Sequence, residues 1–140
     1  MYTGLARQGI DVVKASQLLG YNGQFASVSL LYPDTGLPNA RYRVLELIVK
    51  NFRPGDKLVQ TDMGWSTDVS AQAFITRAGK KLLLVNKRNR QINLQVKSVG
   101  KVSSVDVVDE QTAGQSPRRE PVRDGKINLA PFAVAVVNID

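Results

Sequence analysis

The sequence predicts a mainly β fold: an antiparallel β-sandwich over residues 56–140, preceded by a strand–turn–helix segment within residues 1–55. Three observations carry that expectation. From Asp56 onward, short apolar or alternating runs are separated by turn residues, at the spacing of a sandwich or partly open barrel. Apolar residues make up 43% of the chain, enough to build a core. Between Ala40 and Phe52, by contrast, the apolar period becomes that of a helix.

Seven strands are expected in the second part. Lys57 to Thr61 is a short extended run, followed by the polar loop Asp62–Asp68. In Val69 to Thr76, residues Val69, Ala71, Ala73 and Ile75 share one face, and Ser70, Gln72, Phe74 and Thr76 the other. The turn Ala78-Gly79 leads into Lys80 to Asn86, whose continuous Leu82-Leu83-Leu84-Val85 reads as a central strand buried on both sides. After Arg88-Asn89-Arg90, the residues Ile92, Leu94 and Val96 alternate with polar partners as a half-buried strand. Another strand spans about Lys101 to Val108. Glu110 to Asp124, poor in apolar residues, reads as a long surface loop. Lys126 to Leu129 and Phe132 to Ile139 close the chain, and the apolar character of the latter on both sides puts it at the centre of its sheet.

The first 55 residues follow different rules. Ile10 to Leu19 and Ala26 to Tyr32 look extended, and Pro33-Asp34-Thr35-Gly36 is a turn. A helix is expected from Asn39 or Ala40 to Phe52, with Tyr42, Leu45, Val49 and Phe52 as its apolar stripe and Leu47 and Ile48 beside it. Arg53-Pro54-Gly55 stops it. One amphipathic helix after one or two strands cannot bury both sides of a parallel unit by itself, so the segment looks like the end of something larger.

Composition excludes much chemistry. The chain has no histidine and no cysteine, which removes disulfides, imidazole and thiolate metal ligands, and Ser-His or Cys-His nucleophiles. No metal or other cofactor is therefore expected. No apolar run approaches the length of a membrane span, and Met1 to Arg7 does not read as a signal peptide. The formal charge is +7, from 19 Lys+Arg against 12 Asp+Glu. The basic residues are spread from Lys80 and Lys81 through Lys87, Arg88, Arg90, Lys97 and Lys101 to Arg118, Arg119 and Arg123. Aromatic residues are scarce, at 6%, and do not interleave with them as a single-strand stacking platform requires. A solvated basic face is the favoured reading over a nucleic-acid site.

Phe25 to Tyr42, with its Tyr32-Pro33-Asp34-Thr35-Gly36-Leu37-Pro38 phrase, resembles the last βα unit of (β/α)₈-barrel glycoside hydrolases. Asn51 to Val59 resembles their exit into a C-terminal β-sandwich. Leu82 to Lys87 and Ile127 to Val137 are similar to two strands of that accessory domain, and the family 39-like group is the nearest named match. The resemblance implies that residues 1–55 are the terminal βα segment of a barrel and residues 56–140 its accessory sandwich. It also implies a retaining parent enzyme, with an acid/base Glu after the fourth strand, a nucleophile Glu after the seventh, and carboxyls about 5–5.5 Å apart. This chain would begin after both, and Glu46, Glu110 and Glu120 match neither motif, so no catalytic residue carries over. The implied partner is the parent's catalytic barrel, with an oligo- or polysaccharide beyond it, and a secreted or extracellular parent is compatible with it.

The remaining candidates concern sugar contact. Trp65, in the Asp62–Asp68 loop, suits a stacking platform together with Tyr21 and Tyr32, although packing over a sandwich edge is the favoured reading of a lone loop tryptophan. Asp11 and Asp34 are the carboxylates best placed to meet a sugar, but Asp34 sits in a turn, where aspartate serves its own backbone. Ser16 and Gln17 stand where related barrels present an aromatic residue to the sugar. Lys14 has no neighbour that would lower its pKa. Three readings follow: a structural module of a glycoside-hydrolase-like protein, a carbohydrate-binding module anchored on Trp65, and a basic domain for an anionic polymer.

Overall fold

A computed structural model describes residues 8–9, 17–20, 28–64, 67–97, 100–112 and 114–140. Within these stand one helix, α1 (Ala40–Asn51), and eight strands: β1 (Lys57–Val59), β2 (Val69–Thr76), β3 (Gly79–Asn86), β4 (Ile92–Gln95), β5 (Val102–Val108), β6 (Arg118–Pro121), β7 (Lys126–Leu129) and β8 (Val134–Ile139). Six of them form an antiparallel sheet in the order β1-β2-β3-β8-β5-β6, and β4 pairs with β7 in a second, two-stranded sheet. The mainly β expectation holds.

The large sheet is apolar on both faces because two different layers cover it. On the inner face Leu82, Leu84, Val105, Val107, Ala135 and Val137 join Ile127 and Leu129 of β7, with Ile92 and Leu94 of β4 packed against them. On the outer face Leu83, Val108 and Val136 surround Leu47 of α1, with Val44, Phe52, Phe74 and Val134 at the margin. Period-two alternation along β3 and β8 thus sends successive residues into separate cores, which accounts for the continuous Leu82-Leu83-Leu84 run. Both strands lie in the middle of the sheet, as their composition predicts.

α1 begins where its cap allows. The Asn39 side-chain oxygen accepts from the Arg41 and Tyr42 N–H groups at 3.0 and 3.2 Å, satisfying two donors of the first turn. Its amide donates to the Ser29 carbonyl at 2.8 Å, tying the helix start to the preceding chain. Beyond Phe52 the backbone turns extended, and Gly55 adopts φ 90°.

Several expectations need correction. Glu110–Asp124 is not simply a loop: it contains β6, which pairs with β5 at the edge of the sheet. An edge strand has one solvent-facing side and can be built from Arg, Glu and Pro, so it lacks the apolar signature. The same stretch is anchored by Gly114, where a Cβ would stand 2.5 Å from the Pro38 carbonyl, so only glycine fits this approach. β1 stops at Val59 rather than Thr61. Phe132 is not a strand residue; it has φ 54° and is exposed, and β8 starts two residues later. Val28–Tyr32 forms no strand, although Leu31 bridges to Pro38 across a turn. Of the extended run expected at Ile10–Leu19, residues 17–19 are not strand either, and the remainder lies outside the described residues, as do Ala26 and Ser27.

The helix stripe is also displaced. Leu47 is the fully buried residue, and Val44 and Phe52 reach the same core. Tyr42, Leu45 and Val49 project from the opposite side at 100° per residue, and Val49 is 57% exposed.

Candidate functional site

The predicted sugar contacts are not assembled by the described structure. Trp65 and Tyr21 lie outside the described residues, as do Asp11, Lys14 and Ser16. Asp34 is exposed at the tip of the turn, with Tyr32 nearby, also exposed. An exposed aromatic that the sequence reading missed is Phe132, hidden there because it continues the apolar run of β8.

The acidic residues that are arranged with care are paired with cations. Glu46 accepts from Lys50 at 2.7 Å and Arg43 at 2.8 Å, and the Lys50 and then the Arg43 hydrogen bond hold its carboxyl below the usual range. Asp68 takes Arg88 and Arg90, both at 2.6 Å, and is lowered first by the Arg88 bond and then by that of Arg90. Four cations of the basic set read from the sequence, Arg88, Arg90, Arg118 and Arg119, are thus each engaged with a carboxylate. Among the described residues no group of three or more Asp, Glu, His or Cys side chains stands together as a metal cage would require.

A polar ladder crosses the outer face beside the end of α1. Lys81 Nζ donates to Asn51 Oδ1 at 2.6 Å and to Asn138 Oδ1 at 2.9 Å. The Asn138 amide donates onward to Ser104 Oγ at 3.1 Å and to Asp106 at 3.3 Å. Arg119, facing Asp106 in the β5–β6 register, clasps that carboxylate with two bonds of 2.6 and 2.9 Å. Burial would raise the Asp106 pKa, but the bonds from Arg119 and Asn138 and the nearby cations outweigh it and hold the carboxyl low. Burial is the main influence on Lys81 and lowers its pKa, against the pull of Asp106. These groups satisfy one another, which makes the ladder a structural brace between four strands and the helix.

Among the described residues, two apolar features have no such internal answer. One is the outward side of α1, where Val49 is exposed and Tyr42 and Leu45 are half-buried; among the described residues, neither buried cluster includes them. The other is a cleft of about 820 Å³ on the inner side, where the β2–β3 end of the large sheet extends past β4. Ala71, Ala73, Leu82 and Leu84 form its floor, and Leu94 and Val96 one wall.

Comparison with known proteins gives this architecture a relative. The profile of the D-apionate lactonase C-terminal immunoglobulin-like domain matches residues 66–137. The chain belongs to that family. The immunoglobulin-like domain so defined takes in β2 to β7 and the first four residues of β8, and leaves α1 and β1 ahead of it. No curated protein matches the chain by sequence. Among solved structures it is similar to a glycoside hydrolase family 30 endoxylanase from Clostridium papyrosolvens C71, with a TM-score of 0.60 and 21% identity over 79% of this chain and 30% of the other. It is similar also to the family 30 subfamily 8 xylanase of Clostridium acetobutylicum, with a TM-score of 0.61, 15% identity and the same two coverages. At such identities the likeness concerns the fold. The chain spans about 30% of the length of either xylanase. Residues 56–140 alone fall short of a 79% share, so the similarity reaches back beyond the sandwich towards α1.

Proposed function

We propose that this chain is the C-terminal part of a carbohydrate-active protein, with residues 1–55 closing a (β/α)₈ barrel and residues 56–140 forming the accessory domain that braces it. The observation that carries this reading is the two-sided helix. α1 seats Val44, Leu47 and Phe52 on the sandwich while presenting Tyr42, Leu45 and Val49 away from it. A helix apolar on opposite sides belongs between two bodies. The immunoglobulin-like match and the much longer family 30 chains support a large body on the far side. In this reading the sandwich supplies no reacting group, in keeping with carboxylates committed to arginine and lysine. The parent acts on a sugar-derived substrate, as a retaining glycoside hydrolase of the family 30 or family 39-like kind or as a sugar-acid lactonase.

The test is to express the polypeptide encoded upstream as a separate chain and measure association by analytical ultracentrifugation and melting temperature. Association with a higher Tm is expected. Val49→Asp should weaken it at least ten-fold while changing the stability of this chain alone by less than about 0.5 kcal/mol. Absence of association, or association indifferent to Val49→Asp, sinks the reading. Turnover of aryl glycosides and of sugar lactones by the complex then separates the two enzyme classes.

A further inference from the structure

Most of the basic residues read from the sequence are already engaged. Asp68 holds Arg88 and Arg90, Asp109 and Glu120 hold Arg118, and Asp106 holds Arg119. Lys81 donates to two asparagine oxygens. Lys97, Lys101 and Arg123 differ. All three are exposed, and none forms an ion pair among the described residues. All three also line one cleft of about 700 Å³.

The cleft lies where the end of β4, the start of β5 and the β6–β7 turn meet. Its cations stand on backbone fixed from several sides. Asp124 and Gly125, at φ 52° and 65°, form a two-residue turn closed by the Lys126 N–H, which donates to the Arg123 carbonyl at 3.0 Å. The Val96 N–H donates to the Gly125 carbonyl at 2.9 Å, and the Gln95 side-chain amide donates to the Asp124 carbonyl at 2.6 Å. A Cβ on Gly125 would stand 2.6 Å from the Val96 carbonyl, so glycine lets this turn close on the end of β4. The Lys101 carbonyl accepts from the Asp140 N–H at 2.9 Å, which ties its backbone to the end of β8. Three positive side chains therefore start from fixed points around one opening.

Val96, Val102 and Val122 line the cleft between the charges, and no aromatic ring does. Such a site offers a nucleobase no stacking surface. Three cations against the single carboxylate of Asp124 favour an anion. No residue of the cleft belongs to the cluster that α1 makes with the sheet, so the two surfaces are separate.

We propose that this cleft binds an anionic polysaccharide, with Lys97, Lys101 and Arg123 engaging carboxylate or sulfate groups along one glycan strand. The preference for an anion comes from the cleft itself; the choice of a glycan rests on the reading of the parent as carbohydrate-active. Asp124 opposes the ligand and limits its affinity.

Isothermal titration calorimetry on the whole chain tests this, with hexagalacturonate, a heparin hexasaccharide, neutral xylohexaose and oligothymidylate as probes. At least one acidic oligosaccharide is expected to bind, with affinity falling about ten-fold between about 50 and 300 mM NaCl. Binding of hexagalacturonate alone assigns carboxylate recognition, and of the heparin fragment alone, sulfate recognition. Lys97→Gln and Arg123→Gln together should weaken binding about ten-fold and leave the Tm unchanged. Lys87→Gln removes a charge beyond β3, at the opposite end of the large sheet from Lys101, and should have no effect. Asp124→Asn keeps a residue suited to the left-handed turn and should tighten binding about three-fold. No heat at millimolar ligand, equal binding of xylohexaose, tighter binding of oligothymidylate, or equal loss in Lys87→Gln would overturn the site. The Val49→Asp association experiment reads α1 alone, so failure of either proposal is seen separately.

Discussion

Asp106 has 7% of its surface exposed on the outer face of β5, and its charge survives there because Arg119 and Asn138 both donate to it. Its folded pKa is depressed, so its ionised form contributes stability that is fully present above the ordinary aspartate value. That contribution is lost as pH falls through the folded pKa, below about pH 4. Thermal melts between pH 7 and pH 2 should show a fall in Tm on the acid side, and Asp106→Asn should flatten it while lowering the Tm at pH 7. An unchanged acid slope in the variant would assign the effect to Glu46 and Asp68 instead. Lys81, Ser104, Asp106 and Asn138 of the ladder fall in runs read as strands, but Arg119 falls in the stretch read as a loop, so their mutual contact was not legible: Asp106 and Arg119 meet through pairing with a strand that has no apolar pattern. Asn86 was equally opaque. It is buried, with its amide donating at 2.8 Å to the carbonyls of both Arg90 and Ala130, a bridging role that its place at the end of an apolar run does not reveal.

Among the elements, α1 was the most legible in extent and the least legible in orientation. Asn39 and the Pro54-Gly55 pair mark its ends in the sequence and in the fold. Its facing could not be read because Leu, Ile and Val occur all around it, and the stripe of highest apolar count turned out to be largely the outer one. The cap carries a measurable load. Asn39→Ala removes the acceptor for two N–H groups and the bond to Ser29, and should cost about 1–2 kcal/mol in urea denaturation. Asn39→Asp, which retains the acceptor, should recover most of that loss; if it recovers none, the link to Ser29 rather than the cap dominates. β6 shows the converse case. Its edge position favours charge and proline over apolar residues, so alternation offered nothing to read.

For the molecule as a whole, patterning and turns were enough to predict a sandwich, and the uninterrupted runs in β3 and β8 were enough to predict central strands. What they omitted was why those strands are apolar on both sides: the outer core is made with α1, a helix that the sequence reading assigned to a different body. A chain beginning at Asp56 should therefore not be the stable unit. It would uncover Leu83, Val108 and Val136, and lose at least about 3 kcal/mol of apolar burial. Urea denaturation of that shorter chain against the 140-residue chain checks this, and equal midpoints would mean that α1 contributes no net stability to the sandwich.

The place of β8 has a consequence for how the chain is made. It inserts between β3 and β5, so before residues 134–139 emerge the large sheet exists as two pieces, β1-β2-β3 and β5-β6, that share no strand border. A nascent chain halted between Val108 and Val134 holds Leu83, Leu84, Val105 and Val107 beside unpaired strand edges, the conditions for aggregation during synthesis. Completion is thus a single late event, in which one six-residue strand joins both halves and closes both cores.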